Sequence, residues 1–336
     1  MLDKIKKFFK ENYGTLIFIA LTIIVFYIPT DYDIDCDGGL IDLKDRIEVS
    51  PSYEMEGSLN ITYVGGRRGT IATLFLSWII PSWDAYKVSD YLIDDETYAE
   101  QLARGKVSLR EAEQNSLYVS LKEAGYDVNI KSYEITVIHI DSQADTSLEV
   151  GDVIKSVDGV EVKSVEDFDK HLKTKKVGDN LSLKVMRKNK EKEAYAKLRE
   201  SEDGRLIVGM YINPIIELEY PEDIDITFNK NANEYGSSGG LMNTLLIYNK
   251  LTKEDITKGD VISGTGVINI DGTVDPIAGV KYKLRGAYKE GADVFIAPSE
   301  NYEEALKVAK ENKMDIEIIE AKNFKQVIED LKNRKN

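Results

Sequence analysis

The feature that most constrains this chain is a run of uncharged, mostly apolar residues close to its beginning. It extends from Asn12 to Thr30 and includes the stretch TLIFIALTIIVFYI. As a helix, these residues would reach roughly 28 Å, which is close to the hydrocarbon thickness of a bilayer. The sequence therefore predicts a transmembrane helix over residues 12–30. A cleaved signal peptide is the alternative, although the run is long for one and the following FYIPTDYD lacks a small-x-small cleavage pattern.

Charges on the two sides of this run predict its orientation. The side that precedes it carries lysines, and the side that follows it carries aspartates: Lys4, Lys6, Lys7 and Lys10, then Asp31, Asp33, Asp35 and Asp37. The positive-inside rule places the lysines in the cytoplasm. We therefore expect residues 1–11 to be a cytoplasmic tail. The chain would cross the plasma membrane once, with everything after Thr30 outside.

The acidic segment over residues 31–47 is predicted to be a solvated linker. Its DIDCDGG imitates the start of a calcium-binding loop, but Lys44 stands where such a loop needs a bidentate glutamate. We therefore expect no metal site. Cys36 lies in the same segment and is predicted to be a free thiol, with a cross-link between two chains as the alternative.

Several classes of function are excluded by composition. The formal net charge of −15 is unfavourable for binding nucleic acid, whose affinity for proteins comes largely from cations on phosphates. One cysteine in the chain allows neither an internal disulfide nor a zinc site of several cysteines. The sequence also has no Walker A motif, so it predicts no nucleotide or other cofactor.

Residues 48–125 read as strand, helix and helix. GSLNITYV alternates like a strand, and IATLFLSWIIPSWD carries both tryptophans, Trp78 and Trp83. This second run is interpreted as a helix in the core or lining a cleft, and a helix on the membrane surface is the alternative. A further helix is predicted between a capping serine, Ser108, and a stop at Gly125.

Residues 126–200 are richer in strands. GDVIKSVDGVEV predicts two strands joined by a tight Asp158-Gly159 turn, and SVEDFDKHL predicts a helix capped by Ser164. The segment resembles a PDZ domain of the bacterial protease type. The resemblance implies that a peptide segment adds as a strand beside the helix. It also implies that the binding loop lies near AGYDVNI, with Gly125, Tyr126 and Val128 as peptide-binding residues.

Residues 201–332 alternate strands and helices, which predicts an α/β or α+β domain. Here EYGSSGGLM places two serines followed by two glycines, residues 237–240, at the start of an apolar helix. Such residues are common caps, but a serine at this position can also be a nucleophile if a base activates it. Only two histidines are available, both in residues 126–200, so we expect a lysine instead. Lys281 follows PIAGV and opens a helix, where apolar neighbours and the helix dipole would lower its pKa.

The pair of segments YGSSGGLM and DGTVDPIAGVKYKL resembles the protease domain of the Lon family. The resemblance implies that Ser238, rather than Ser237, is the nucleophile and that Lys281 is the base. It further implies that Thr265 of ISGTGVI orients the lysine. Because Ser238 and Gly239 lie where a helix begins, their N–H groups are the candidates for binding an oxyanion. The fold class expected is α+β: an N-terminal transmembrane helix and a Lon-type protease domain into which the PDZ-like domain is inserted.

These observations predict a membrane-anchored, ATP-independent serine endopeptidase with a Ser-Lys dyad. Its partners would be peptides or exposed segments of proteins, a peptide bound by the PDZ-like domain, and the membrane; an oligomer remains open. The alternative is a catalytically inert, extracytoplasmic peptide-binding scaffold. Whether Ser238 and Lys281 meet in the folded chain distinguishes the two.

Overall fold

The protein consists of a long N-terminal helix and a body of mixed α+β structure, which confirms the predicted fold class. A computed structural model describes residues 2–229, 231 and 234–334. Met1 of the predicted cytoplasmic tail and residues 230, 232 and 233 of the predicted protease domain lie outside the described residues.

The first helix, α1 (Leu2–Tyr27), begins ten residues before the predicted span of 12–30 and ends three residues before the end of that span. The lysines that were expected to precede the helix are therefore part of it. Within α1, the segment Lys4–Tyr27 is long and apolar enough to cross a membrane, and none of its apolar window is buried inside the protein. A signal sequence near an N-terminus has the same properties.

The predicted acidic linker, residues 31–47, is instead folded. This part of the chain contains, in order, β1 (Pro29–Cys36), β2 (Leu40–Asp42), β3 (Ile47–Ser50), β4 (Ser58–Thr62), β5 (Gly65–Thr70), α2 (Ile71–Ser77) and β6 (Asp84–Lys87). β1 is the central strand of a sheet between β5 and β6. Ile34 is fully buried on one face of β1. Just after the strand, Asp37 accepts hydrogen bonds from Arg285 at 2.6 Å and Lys289 at 2.7 Å.

The helix α2 differs from its predicted role as a core element. It is short, and Thr70 caps it in a reciprocal arrangement with Thr73. No residue of α2 is buried, and Trp78, directly after it, is 89% exposed.

The helix α3 (Tyr98–Glu123) begins ten residues before the predicted cap. Thr97 accepts from the backbone N–H of Glu100 and is the real N-cap, while Ser108 lies inside the helix and donates to the carbonyl of Arg104. Gly125 has φ +87°, a conformation that glycine adopts without strain, and it ends the helix as predicted.

A β-rich unit follows α3. Its elements are β7 (Asn129–Ile140), β8 (Val153–Val157), β9 (Val160–Glu161), α4 (Val165–Leu172), β10 (Asn180–Arg187), β11 (Lys190–Lys197), β12 (Arg199–Glu200), β13 (Leu206–Ile207) and β14 (Met210–Glu219). The main sheet has the order β11-β10-β8-β7-β14, and β9 pairs with β8. Asp158 and Gly159 both have positive φ at the predicted turn, and Ser164 caps α4 as predicted.

The rest of the chain contains β15 (Asp225–Phe228), α5 (Gly240–Leu251), β16 (Val261–Gly264), β17 (Val267–Ile268), β18 (Val274–Asp275), α6 (Val280–Lys289), β19 (Val294–Pro298), α7 (Ser299–Glu311), β20 (Glu317–Ala321) and α8 (Phe324–Asn333). A second sheet has the order β2-β4-β16-β19-β20, with β4, β16, β19 and β20 parallel. Because β2 and β4 precede the β-rich unit and the other strands follow it, that unit is inserted into this α/β domain.

Candidate active site

Ser238 lies in the turn that leads into α5, and its backbone is held by the segment after β16. The Ser238 carbonyl accepts from the Gly266 N–H at 2.8 Å and from the Thr265 hydroxyl at 3.0 Å. Leu241 N–H in turn donates to the Gly266 carbonyl at 3.1 Å. Leu241, Leu245 and the rest of α5's buried face anchor the helix in the core. The serine is therefore fixed to two packed elements.

A lysine contacts the Ser238 hydroxyl, and it is Lys283. Its Nζ lies 2.8 Å from Ser238 Oγ and 2.9 Å from Thr265 Oγ1. Only 4% of Lys283 is exposed. Burial removes the ammonium from water and lowers the pKa of Lys283 to about 8. A substantial fraction of this amine is thus neutral near physiological pH, so it can accept a proton.

The structure does not bring Lys281, the predicted base, to Ser238. Two residues along a helix rotate a side chain by about 200°, so Lys281 and Lys283 lie on nearly opposite faces of α6. Lys281 Nζ forms an ion pair with Asp84 at 2.9 Å. Burial pulls the pKa of Lys281 down, but the hydrogen bond and charge of Asp84, with help from Tyr86, outweigh it and raise that pKa above its ordinary value. Lys281 is charged at neutral pH.

The sequence contained a signal that distinguishes the two lysines. Lys283 shares one face of α6 with three buried apolar residues, Val280, Leu284 and Ala287, at the spacing that places side chains together on a helix. Lys281 instead lies on the face of Arg285 and Lys289, both of which pair with Asp37. Helical periodicity, applied to α6, predicts that Lys283 is the buried lysine.

The other predicted site residues lie around Ser238. Thr265 is fully buried and contacts both Lys283 Nζ and the Ser238 carbonyl. Gly239 is the N-cap of α5, and a Cβ added there would be 3.3 Å from Cγ2 of Ile61, so the position has little room for a side chain. Among the described residues, the N–H groups of Ser238 and Gly239 donate to no backbone acceptor.

A cavity of about 520 Å³ opens at Ser238. Polar groups line one part of it, including Glu113, Asn243 and Lys283. Apolar side chains line most of the remainder: Ile41, Leu43, Ile47, Ile61, Val64, Leu109, Phe228 and Ala278. The cavity is therefore large enough for amino-acid side chains, and its surface is mostly apolar.

The predicted peptide-binding residues are not beside the helix of the β-rich unit. Gly125 ends α3, and Tyr126 and Val128 pack against the core that contains α5. A cavity of about 520 Å³ does lie along α4, but its other wall is formed by residues 206–210. The apolar lining of this cavity is Phe168, Leu172, Leu206, Ile207, Val208 and Met210. Because RLIVGMYI follows the predicted end of the PDZ-like segment at residue 200, the sequence interpretation assigned this wall to the next domain.

In the part of the chain that the structure describes, the histidines and acidic residues form no metal cluster. Within the described ranges, no group of three or more His, Cys, Asp or Glu side chains is placed to hold an ion. His139 is buried against the ring of Tyr211. His171 lies 2.8 Å from a carboxylate oxygen of Asp158, an acidic partner that the sequence spacing did not reveal.

Two parts of the chain match known domain families. Residues 109–198 match the PDZ domain, and residues 219–333 match the Lon protease (S16) C-terminal proteolytic domain. The chain thus combines a PDZ domain and a Lon-type proteolytic domain, as the sequence analysis predicted. These matches support a serine protease of the Lon type.

Several known proteins are similar to parts of this chain. Lon protease 2 of Bacillus subtilis is 34% identical over 109 residues, which are 32% of this chain and 19% of that protein. Lon protease of Elusimicrobium minutum is 30% identical over 93 residues, which are 28% of this chain and 11% of that protein. This chain therefore spans less than a fifth of the length of these relatives. The PDZ domain of the SdrC-like protein from Listeria monocytogenes is 25% identical, with a TM-score of 0.23, and covers 25% of this chain and 92% of that one.

Proposed function

We propose that this chain is a membrane-anchored serine endopeptidase that works without ATP, with Ser238 as nucleophile and Lys283 as general base. The observation that carries the proposal is the 2.8 Å contact between Lys283 Nζ and Ser238 Oγ, made by a lysine whose burial lowers its pKa to about 8. A hydroxyl becomes a good nucleophile when an adjacent base can take its proton. The Lon-type match over residues 219–333 supports the same reaction.

In the first half of the reaction, neutral Lys283 takes the proton of the Ser238 hydroxyl while Oγ attacks the carbonyl carbon of a peptide bond. The carbonyl electrons move onto oxygen, and the N–H groups of Ser238 and Gly239 at the beginning of α5 are the candidates for binding that oxyanion. When the tetrahedral intermediate collapses, the C–N bond breaks. Lys283 then gives its proton to the leaving amine, and an acyl ester on Ser238 remains.

In the second half, water replaces the amine. Lys283 takes a proton from the water molecule as the water oxygen attacks the ester carbonyl, and it returns that proton to Ser238 Oγ when the C–O bond breaks. In both halves of the reaction, Thr265 Oγ1, 2.9 Å from Lys283 Nζ, holds the lysine amine beside the Ser238 hydroxyl. The role of Thr265 is to position the base, since it does not touch the reacting carbonyl.

The substrates would be peptides or locally exposed protein segments. The cavity at Ser238 is mostly apolar, and the sequence contains no Walker A motif for a motor that would unfold a protein. The cavity between α4 and residues 206–210 is the candidate for holding a further peptide segment on the PDZ domain.

The membrane anchor would be α1. Its segment Lys4–Tyr27, at 1.5 Å per residue, reaches roughly 36 Å and can cross a bilayer. The four lysines in its first turns favour a cytoplasmic N-terminus, which puts the protease and PDZ domains outside the cell.

Four variants of the full chain test the catalytic assignment with a fluorogenic peptide and no nucleotide. Ser238→Ala and Lys283→Met should abolish cleavage. Ser237→Ala and Lys281→Ala are the matched controls and should retain cleavage. Lys283 contacts Ser238 rather than Ser237, and Lys281 pairs with Asp84 rather than with a serine. Full activity in Lys283→Met, or loss of activity in Lys281→Ala with a normal fold, would refute the assignment. Inactivity of the unmodified chain would favour the inert peptide-binding scaffold.

A further inference from the structure

An exposed apolar surface surrounds α2. No charged residue occurs from Gly69 to Trp83. Trp78 is 89% exposed, Phe75 62% and Ile79 60%. Together with Ile71 and Leu76, which are also exposed, these residues form what we call the α2 patch. Contiguous apolar surface of this kind marks a site of interaction with protein or membrane.

The α2 patch lies where α1 ends. α1 stops at Tyr27, and two residues later Pro29 pairs with Thr70, the N-cap of α2. Thr30 Oγ1 also donates to the Gly69 carbonyl at 2.9 Å. From the spacing of residues along and between strands, the beginning of α2 lies within roughly 12 Å of the end of α1. α2 and α1 are in contact.

The polar groups of α2 are satisfied within the helix itself. Thr73 Oγ1 donates to the Thr70 carbonyl at 3.1 Å, and Ser77 Oγ donates to the Leu74 carbonyl at 2.8 Å. Burying an unpaired hydroxyl costs free energy, but these hydroxyls keep their partners when water leaves. The patch can therefore be removed from water with little polar penalty.

We propose that the α2 patch inserts into the headgroup boundary of the leaflet from which α1 emerges, so that the domain contacts the bilayer at a second point. The inference rests on the proposed membrane span of α1. Lipid is the expected partner of the patch because α2 lies beside the end of α1. If α1 spans the bilayer, the patch lies at the membrane surface. Tryptophan prefers this boundary, where its apolar ring and its N–H group both find partners.

Tryptophan fluorescence of the full chain in phospholipid vesicles tests this insertion, since the chain contains two tryptophans. Trp83→Phe leaves Trp78 as the only tryptophan, which can be excited selectively at the red edge of its absorption. Trp78→Phe leaves Trp83, which stacks under the Arg67 guanidinium at 4.9 Å and serves as the control. Phosphatidylcholine brominated near the top of its acyl chains should quench Trp78 strongly and Trp83 weakly. Adding Phe75→Asp to the Trp83→Phe chain should reduce the quenching of Trp78.

Flotation of the same vesicles measures the anchor separately. If the chain floats and Trp78 is quenched, the inference stands. If it floats and Trp78 is not quenched, the inference fails while the span of α1 survives. A blue-shifted but unquenched Trp78 would mean that protein, such as a second copy of the chain, covers the patch, and this also overturns the inference. A chain that does not float overturns both the span and the insertion, whereas peptide cleavage still tests the protease assignment independently.

Discussion

Replacing Lys283 by methionine should remove both the activity of the chain and one component of its pH-dependent stability. The buried lysine has a pKa of about 8, compared with an ordinary value of 10.5. At 1.36 kcal/mol for each pH unit, holding its charge inside the fold at pH 7 costs roughly 3 kcal/mol. Methionine has a similar length and carries no charge, so it avoids this cost.

The sign of the effect follows from proton binding. Between about pH 8 and pH 10.5 the unfolded chain keeps the Lys283 proton and the folded chain has lost it, so folded stability rises with pH in that range. The penalty therefore falls from roughly 3 kcal/mol at pH 7 to below about 1 kcal/mol at pH 10. The lost hydrogen bond to Thr265 lowers the stability of the methionine variant at both pH values. It therefore does not produce the expected difference in pH dependence.

The assay is urea unfolding at pH 7 and pH 10 on an inactive background, Ser238→Ala compared with Ser238→Ala/Lys283→Met, which avoids self-cleavage. The free energy of unfolding should increase with pH by about 2 to 3 kcal/mol more in the lysine chain than in the methionine chain. In the active protein, kcat/KM should rise about 50-fold from pH 6 to pH 8 and then level off, because the neutral fraction of a base with a pKa near 8 rises by that factor. Lys281→Ala should show the same profile. A midpoint near pH 10.5, or equal pH dependence of unfolding in the two chains, would refute the reasoning.

Three further outcomes are expected. Thr265→Val should lower kcat by about tenfold or more, because it removes the hydrogen bond to the Lys283 amine while valine keeps the shape of threonine. If Thr265 positions the base, the midpoint of the pH–rate profile should also shift. Gly240→Ala in the Ser238→Ala background should cost about 1 to 3 kcal/mol of stability in thermal unfolding, because its Cβ would lie 2.9 Å from Cγ2 of Ile268; an unchanged midpoint would show that Ile268 moves freely. In intact cells, a protease added outside should digest the chain after about Asp31, and complete protection would reverse the proposed orientation.

The local parts of the fold could be predicted from the sequence. The Asp158-Gly159 turn, the Ser164 cap and the fully buried strand β19 follow from short-range rules, and the structure has all three. The beginning of α3 could not be predicted in this way because Gly105 lies inside the helix and suggests a break. In the fold, Tyr235 occupies the space beside Gly105, where an added Cβ would be 3.1 Å from Tyr235 Cβ. A residue 130 positions away therefore explains that glycine.

The acidic segment shows a similar limit. Its composition suggests a solvated linker, yet PTDYDIDC also alternates apolar and acidic residues, as a strand does. The prediction followed the acidic composition rather than the alternating pattern, because the partners of the acidic residues lie far away in the sequence. Arg285 and Lys289, which bind Asp37, come from α6, and no local rule connects them to residue 37.

The candidate site illustrates why motif matching and helix geometry have to be combined. Matching PIAGVK to a family motif pointed to α6, the helix whose Lys283 contacts Ser238, but it selected the first lysine of that helix. A motif in one dimension does not say which side chain faces the serine. The periodic face of α6 makes that choice: the positions that pack α6 against the core include Lys283, so the same packing that stabilises the helix also removes water from the amine. Ser238 remains half-exposed at the mouth of its cavity, whereas Lys283 is 4% exposed. The lowered pKa is therefore a property of the free protein and does not depend on a bound peptide, which is why the profile of kcat/KM, rather than kcat alone, reports it.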